Sequence, residues 1–296
     1  MDSALFRGSG VALVTPFYHG EVDYDALGLL IDRQLEGGTD AIIVCGTTGE
    51  PPTLTEAEKE AVLTFALYRV GGRVPVIAGT GGNNTAASVR QSALAQKTGA
   101  DALLVVTPYY NRTTQRGLIA HYTAIADAVD IPIILYNVPS RTGVNLLPET
   151  AAALAEHPNI RGVKEAGGDV SQMAELARLC GGRMALYAGN DDQTLPMLAL
   201  GGQGVISVAA NVVPDRMHDM VFSWFAGDIA RCRAMQLELL PLCRQLFAEV
   251  NPIPVKAALQ LMGLCRADVR LPLVPLSEGR WEALREAMNA LGVETE

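Results

Sequence analysis

The sequence predicts a (β/α)8 barrel with a helical extension at its C-terminal end. Three observations carry this. Eight short, nearly unbroken apolar runs alternate with longer amphipathic ones, as parallel strands buried on both faces require. The alternation then stops, after about the length over which eight strand–helix units close as one body of roughly 250 residues. Of 296 residues, 49% are hydrophobic, enough for a single large core, so length alone does not demand two independent units.

The strands are expected at residues 11–14, 41–45, 74–78, 102–106, 131–136, 160–164, 184–187 and 204–208. Helix signals stand between them. Thr55-Glu56-Ala57-Glu58 resembles a capping box, Asn84-Thr85 opens the next helix and Gly99 ends it. Pro148 and Pro214 sit where a first helical turn tolerates proline. Glycine pairs at 37–38, 71–72, 181–182 and 201–202 suit left-handed C-terminal caps. Beyond Gly227, residues 228–248, about 252–264 and 278–291 read as three helices with no strand between them. The expected division is therefore a barrel over 1–227 and a helical extension over 228–296.

The net charge is −9 with no basic run, which disfavours nucleic acid and anionic membranes as partners. Five scattered cysteines without C-x-x-C spacing speak against a disulfide framework or a structural zinc site. The four histidines lie far apart and read as surface or helix-end residues. No apolar run reaches the ~18 residues of a membrane span, and the first residues lack a basic-then-apolar leader. The expectation is a soluble, cytoplasmic protein.

The active site of such a barrel lies at the C-terminal ends of its strands. Residues expected there are Thr15-Pro16, Gly46-Thr47-Thr48-Gly49-Glu50, Thr107-Pro108-Tyr109-Tyr110-Asn111, Tyr136 through Gly143, Lys164-Glu165, Gly189-Asn190-Asp191 and Ile206-Ser207. Hydroxyls, phenols, one lysine and one arginine thus converge on one rim. Lys164 is the sharpest candidate. The chain has four lysines (Lys59, Lys97, Lys164, Lys256) against 19 arginines. A lysine ending an apolar strand is costly unless used, and burial favours the neutral, nucleophilic amine. The alternative is an ion pair that tucks a strand end under a loop. Lys59 and Lys97 lie in polar helical patterns. Lys256, after Asn251-Pro252-Ile253-Pro254, is a weaker rival.

The other candidates also carry ordinary alternatives. Thr47 and Thr48 and their backbone could hold a carboxylate or form a plain strand–helix turn. Residues 79–84, Gly-Thr-Gly-Gly-Asn-Asn, lack the lysine of a phosphate loop and read as a turn and helix cap. Tyr136 could relay a proton or be a core tyrosine. Arg141 could grip a carboxylate or be a solvated loop residue. Tyr109 and Tyr110 suggest a pocket lid or a subunit contact.

Together, Gly46-Thr47-Thr48-Gly49-Glu50, Thr107-Pro108-Tyr109-Tyr110-Asn111, Tyr136-Asn137-Val138-Pro139-Ser140-Arg141-Thr142-Gly143, Val163-Lys164-Glu165-Ala166 and Gly204-Val205-Ile206-Ser207-Val208 resemble the dihydrodipicolinate synthase family of the pyruvate-dependent lyases. The resemblance runs from about Val11 to Leu291. Within the superfamily, Ser140-Arg141-Thr142-Gly143 favours the synthases. It implies that Lys164 forms a Schiff base with pyruvate, whose enamine attacks L-aspartate 4-semialdehyde. It implies proton movement by Tyr136, a relay through Thr47 to a neighbouring subunit's Tyr110, and Thr48 on the pyruvate carboxylate. Arg141 would take the semialdehyde carboxylate, and Gly189 and Ile206 would give backbone contacts. No metal or organic cofactor is implied, and the implied assembly is a homotetramer, a dimer of dimers. Some members are inhibited by lysine. Here Lys59 and Ala87 replace their histidine and glutamate, while Asn83 and Tyr109 are kept, so weak or absent lysine inhibition is expected. The rivals are an N-acetylneuraminate lyase or 2-keto-3-deoxy-sugar-acid aldolase on the same scaffold, and a catalytically silent binding paralogue.

Overall fold

A computed structural model of the chain describes residues 5–295. Residues 1–4 and 296, the outer ends of the two expected regions, lie outside the described residues. Eight parallel strands close a barrel: β1 (Gly8–Ala12), β4 (Ala41–Val44), β5 (Val76–Gly79), β6 (Ala102–Val106), β7 (Ile133–Asn137), β8 (Ile160–Glu165), β9 (Ala185–Ala188) and β10 (Gly204–Ser207). β1 pairs with β10 on one side and β4 on the other, which completes the ring. A small antiparallel hairpin, β2 (Phe17–Tyr18) and β3 (Glu21–Val22), follows the first strand and was not legible in the sequence.

The helices α1 (Tyr24–Glu36), α2 (Glu56–Val70), α3 (Thr85–Thr98), α4 (Gln115–Ala126), α6 (Pro148–Leu154), α7 (Val170–Cys180), α8 (Thr194–Ala199) and α9 (Pro214–Phe225) connect the strands, with a one-turn α5 (Pro139–Thr142) after β7. The start signals act as their chemistry dictates. Thr55 and Glu58 form a reciprocal capping box at α2, the Asn84 side chain accepts from the Ala87 N–H at α3, and Pro148 and Pro214 occupy first turns. α3 closes on Gly99, left-handed at φ 109°. The extension is α10 (Ile229–Leu246), α11 (Ile253–Leu261) and α12 (Trp281–Asn289). α10 packs on α9, α11 and α12. Among the described residues no helix is long and apolar enough to cross a membrane.

Two readings need correction. The first strand begins at Gly8, not residue 11. Its start is Gly8-Ser9-Gly10, which breaks the apolar pattern because neighbours fill the space: a Cβ on Gly10 would stand 2.9 Å from the Phe6 ring, and one on Gly8 would collide with the Asp40 side chain. His121 is buried in α4, not superficial. Its Nδ1 lies 2.9 Å from Thr85 Oγ1, and desolvation pushes the imidazole pKa down.

Side chains alternate across the strands. Inward ones, including Ile43, Ile77, Leu104, Ile134 and Ile206, form a core within the barrel. Its floor is an aromatic stack, Phe6 on Tyr187 with centroids 4.4 Å apart, and the Tyr187 hydroxyl donates to the Phe6 carbonyl at 2.8 Å. Outward side chains pack the helices in a larger shell. The floor shuts one end, so a buried polar group on the inner face can reach solvent only through the other.

Candidate active site

Lys164 stands on the inner face of β8, register partner to Tyr136 in β7 and to Tyr187 in β9. It is only 4% exposed, and its Nζ lies 4.4 Å from the centroid of the Tyr136 ring. Among the described residues no carboxylate forms an ion pair with it. The charge that it acts on is Asp191, also buried, whose Oδ2 accepts from the Val208 and Ala209 N–H groups at 3.1 and 3.0 Å. Burial pushes the Asp191 carboxyl up, against the pull of Ser207, those N–H groups and Lys164. Space beside the amine depends on Gly189. A Cβ there would meet Ala166 Cβ at 2.7 Å and Lys164 Cε at 3.1 Å.

The next residue, Glu165, points outward, as strand alternation requires. Its carboxylate accepts from Asn137 Nδ2, Gln172 Nε2 and the Gly167 N–H. Desolvation nevertheless leaves its pKa raised. The network ties the loops after β7 and β8 together and keeps this carboxylate off the amine.

Gly46 through Glu50 leaves β4 as one tight turn, with Gly49 N–H on the Gly46 carbonyl and Glu50 N–H on that of Thr47. These bonds leave the Thr47 and Thr48 N–H groups without a backbone acceptor, as at any helical start. Thr15 Oγ1 donates to the Gly49 carbonyl at 2.8 Å. Thr48 is buried, and its Oγ1 accepts from Asn251 Nδ2 at 3.0 Å. The turn ends on Glu50 in the left-handed conformation, φ 54°.

Glu50 explains Lys256. The Lys256 Nζ lies 2.5 Å from Glu50 Oε1, with both side chains buried. It also donates to the Asp268 carbonyl at 2.8 Å and rests 4.0 Å from the Phe17 centroid. Burial pushes the ammonium pKa down while Glu50 supports the charge. Arg270 completes the cluster. Its backbone N–H donates to Glu50 Oε2, and its guanidinium bonds Glu58, Gly20 and Thr53. The tucked ion pair considered for Lys164 is therefore the setting of Lys256.

Above the barrel lies an open cleft of about 930 Å³ lined by, among others, Thr47, Tyr109, Tyr110, Ser140, Arg141 and Asn251. Lys164 and Tyr136 do not line it. They are buried within the barrel, and Val138, two residues past Tyr136, forms part of its wall. Arg141 is exposed, with Nη2 donating to the Asn251 carbonyl at 3.2 Å. Thr107 Oγ1 donates to Thr142 Oγ1 at 3.1 Å and joins the loops after β6 and β7. Tyr110 is 90% exposed on a left-handed backbone, φ 68°. The hydroxyls of Thr47, Tyr110 and Tyr136 are not bonded to one another among the described residues. Ile206 is fully buried on β10. Lys59, from a polar helical pattern, is half-buried and lines this cleft with Asn83 and Ala87. No group of three or more His, Cys, Asp or Glu among the described residues could hold a metal ion.

The sequence profile of the dihydrodipicolinate synthetase family matches residues 5–291. The chain belongs to this family. Among relatives of the dihydrodipicolinate synthetase family, the 4-hydroxy-tetrahydrodipicolinate synthase of Thermoanaerobacter sp. (strain X514) is 54% identical over 290 residues, 98% of each chain. The crystal structure of dihydrodipicolinate synthase from Thermotoga maritima superposes with a TM-score of 0.97 at 46% identity, covering 98% of this chain and 100% of that one. The chloride-inhibited enzyme from Acinetobacter baumannii, solved in complex with pyruvate, gives 0.95 at 45% identity over 97% and 99%. The match spans barrel and extension alike, so the family fold includes both.

Two outcomes are expected of the buried cluster. Glu50→Gln and Lys256→Met, each leaving a partner charge buried and unpaired, should destabilise by about 3–5 kcal/mol in denaturant unfolding. The double variant should cost less than the two added together. Glu58 is held at about 2, first by its bond to Arg270. A carboxyl depressed in the folded state stabilises above its ordinary pKa, and that gain fades as pH falls through the folded value. Glu58→Gln should therefore be less stable than the parent at pH 7, and the gap should narrow from about pH 4.5 towards pH 2. A gap that stays constant across that range would count against the assignment.

Proposed function

We propose that Lys164 is the nucleophile that joins pyruvate to the protein, and that the residues around it run one aldol-type condensation. The chain is a lyase of the dihydrodipicolinate synthetase family, with the activity of a 4-hydroxy-tetrahydrodipicolinate synthase. The observation that carries the residue assignment is the setting of Lys164: buried, without a carboxylate in contact among the described residues, and beside a tyrosine at the open end of a barrel whose other end is plugged.

The amine attacks the keto carbon of pyruvate, and loss of water leaves an imine. The imine draws electrons from the adjacent methyl group, which loses a proton and becomes an enamine carbon nucleophile. That carbon attacks the aldehyde of L-aspartate 4-semialdehyde. The amino group of the second substrate then attacks the imine carbon, closes the ring and expels the Lys164 amine. Each stage needs a proton delivered or removed near Nζ, and Tyr136 is the group at hand. Thr47, on the cleft wall, would connect Tyr136 outward. The exposed Tyr110, on its left-handed backbone, suits insertion into a second subunit's relay, so a homotetramer of paired dimers is the proposed assembly.

Thr48, with its hydroxyl and the free N–H groups of the turn, would hold the pyruvate carboxylate. Gly189 leaves room beside Lys164 Cε, and with Ile206 would offer backbone to the bound keto acid. Arg141, at the cleft edge, would receive the carboxylate of the semialdehyde. Its place there favours the synthase over a sugar-acid aldolase, which has no second carboxylate at that position to bind.

Borohydride with pyruvate should fix a stable mass on one peptide containing Lys164. Lys164→Ala should give no adduct, and Tyr136→Phe should lose about 10²–10⁴-fold in turnover. Absence of an adduct on the parent would overturn the assignment. Lysine at millimolar concentration should leave the rate within about twofold, because the fixed Lys59 charge repels an ammonium by Coulomb's law and Ala87 offers it no carboxylate. Inhibition assays across the millimolar range check this, and full inhibition would refute it.

A further inference from the structure

Asn251 belongs to no element of the barrel. It lies in the link between α10 and α11, yet it is buried to 5% exposure and lines the cleft. Its contacts go to two barrel loops. Nδ2 donates to Thr48 Oγ1 at 3.0 Å, across 203 positions of sequence. The backbone carbonyl accepts from Arg141 Nη2 at 3.2 Å. Its Oδ1 is buried without a hydrogen-bond partner.

We infer that Asn251 is a positioning residue, which aims the Thr48 hydroxyl at one substrate carboxylate and the Arg141 guanidinium at the other. This rests on the proposed roles of Thr48 and Arg141.

Donors and lone pairs constrain Thr48. A hydroxyl has one proton and two acceptor sites. Accepting from Asn251 occupies one acceptor site and leaves the proton for another group. No acceptor for it stands among the described residues. A carboxylate placed against the turn would meet that proton together with the N–H groups of Thr47 and Thr48. With the amide reversed, Oδ1 would take the Thr48 proton itself, and two N–H donors would be buried unbonded. The orientation seen keeps one N–H bonded to Thr48 Oγ1 and leaves Oδ1 and the other N–H without a partner among the described residues, one donor fewer than the reverse. For Arg141 the carbonyl holds one end of a long, otherwise exposed side chain. Less rotamer freedom is then lost when a carboxylate binds.

Asn251 can do this because it does not drift. α11, which begins two residues later, is buried along nearly its whole length, and Lys256 locks it to Glu50, two residues past Thr48. The loop and the extension are thus joined at two neighbouring points, one ionic and one a hydrogen bond.

The test compares Asn251→Ala, Asn251→Asp and Thr48→Val, each checked for native thermal unfolding. Half-saturation by pyruvate is read by borohydride trapping, and both KM values by steady-state kinetics. Asn251→Ala should raise KM for pyruvate by about tenfold, with a smaller change in kcat, the cost of roughly one hydrogen bond to a charged group, while the semialdehyde KM should move less because the backbone carbonyl that holds Arg141 is kept. Asn251→Asp keeps the shape but turns the donor into an acceptor that captures the Thr48 proton. It should raise the pyruvate KM further than alanine does. In the Thr48→Val background, Asn251→Ala should add little to the pyruvate KM. The inference is overturned if both Asn251 variants keep KM within about twofold of the parent, or if only kcat falls. It is also overturned if the Thr48 and Asn251 effects on pyruvate multiply independently. Should Asn251→Ala not fold, the aspartate variant alone decides by the same criteria. Failure of the parent itself to trap pyruvate would instead sink the Lys164 assignment, so the two outcomes are separable.

Discussion

The ion pair between Lys256 and Glu50 is the constraint on which the rest of the site depends. Two opposite charges removed from water gain nothing unless held close and bonded on their remaining sides. Here the ammonium also meets the Asp268 carbonyl and the face of Phe17, and the carboxylate also meets the Arg270 backbone N–H. The pair is therefore specific in geometry whatever its net contribution to stability. It joins the first turn of α11 to the end of the loop that carries Thr47 and Thr48. Barrel and extension cannot slide past one another without exposing a bare charge to a dry interior.

The chain buries two lysines and gives them opposite surroundings. Lys256 is matched by a carboxylate in contact, which favours its charge. Lys164 has a tyrosine ring beside it, and Asp191, the carboxylate whose ionisation it favours, accepts from backbone N–H groups. Glu165, adjacent in sequence, is turned to the other face by the two-residue period of the strand and tied there by Asn137 and Gln172. One amine is matched by a carboxylate in contact and the other is not, which is the setting that the proposed nucleophile requires. The difference lies in which acids reach them, since both are equally hidden from solvent.

Much of this was legible from local pattern. The eight strands, the capping box at Thr55, the glycine end at Gly99 and the three C-terminal helices follow from periodicity and end chemistry that act over a few residues. The strand-end position of Lys164, Tyr136, Thr47, Thr48 and Arg141 followed once the barrel was recognised, though Lys164 and Tyr136 lie buried within the barrel and not on the cleft. Less legible were the features made by distant neighbours. The start of the first strand was missed because Gly8 and Gly10 are set by Asp40 and Phe6 and not by their own hydropathy. His121 looked superficial because α4 alone does not reveal that Thr85 covers it. Lys256 stood in view after an Asn-Pro-Ile-Pro run, yet nothing in that run names Glu50 as its partner.

The sequence by itself determined the kind of body this is, a closed cylinder of parallel strands under helices, and which residue types crowd its open rim. It did so because alternation, turns and caps are governed by sterics and burial within a few positions of one another. Only the tertiary structure decided which lysine stands unpaired, that Asn251 reaches Thr48 and Arg141, and that the extension forms part of the cleft. Those contacts join residues some hundred to two hundred positions apart, and they exist only once closure of the barrel has brought its loops to one end.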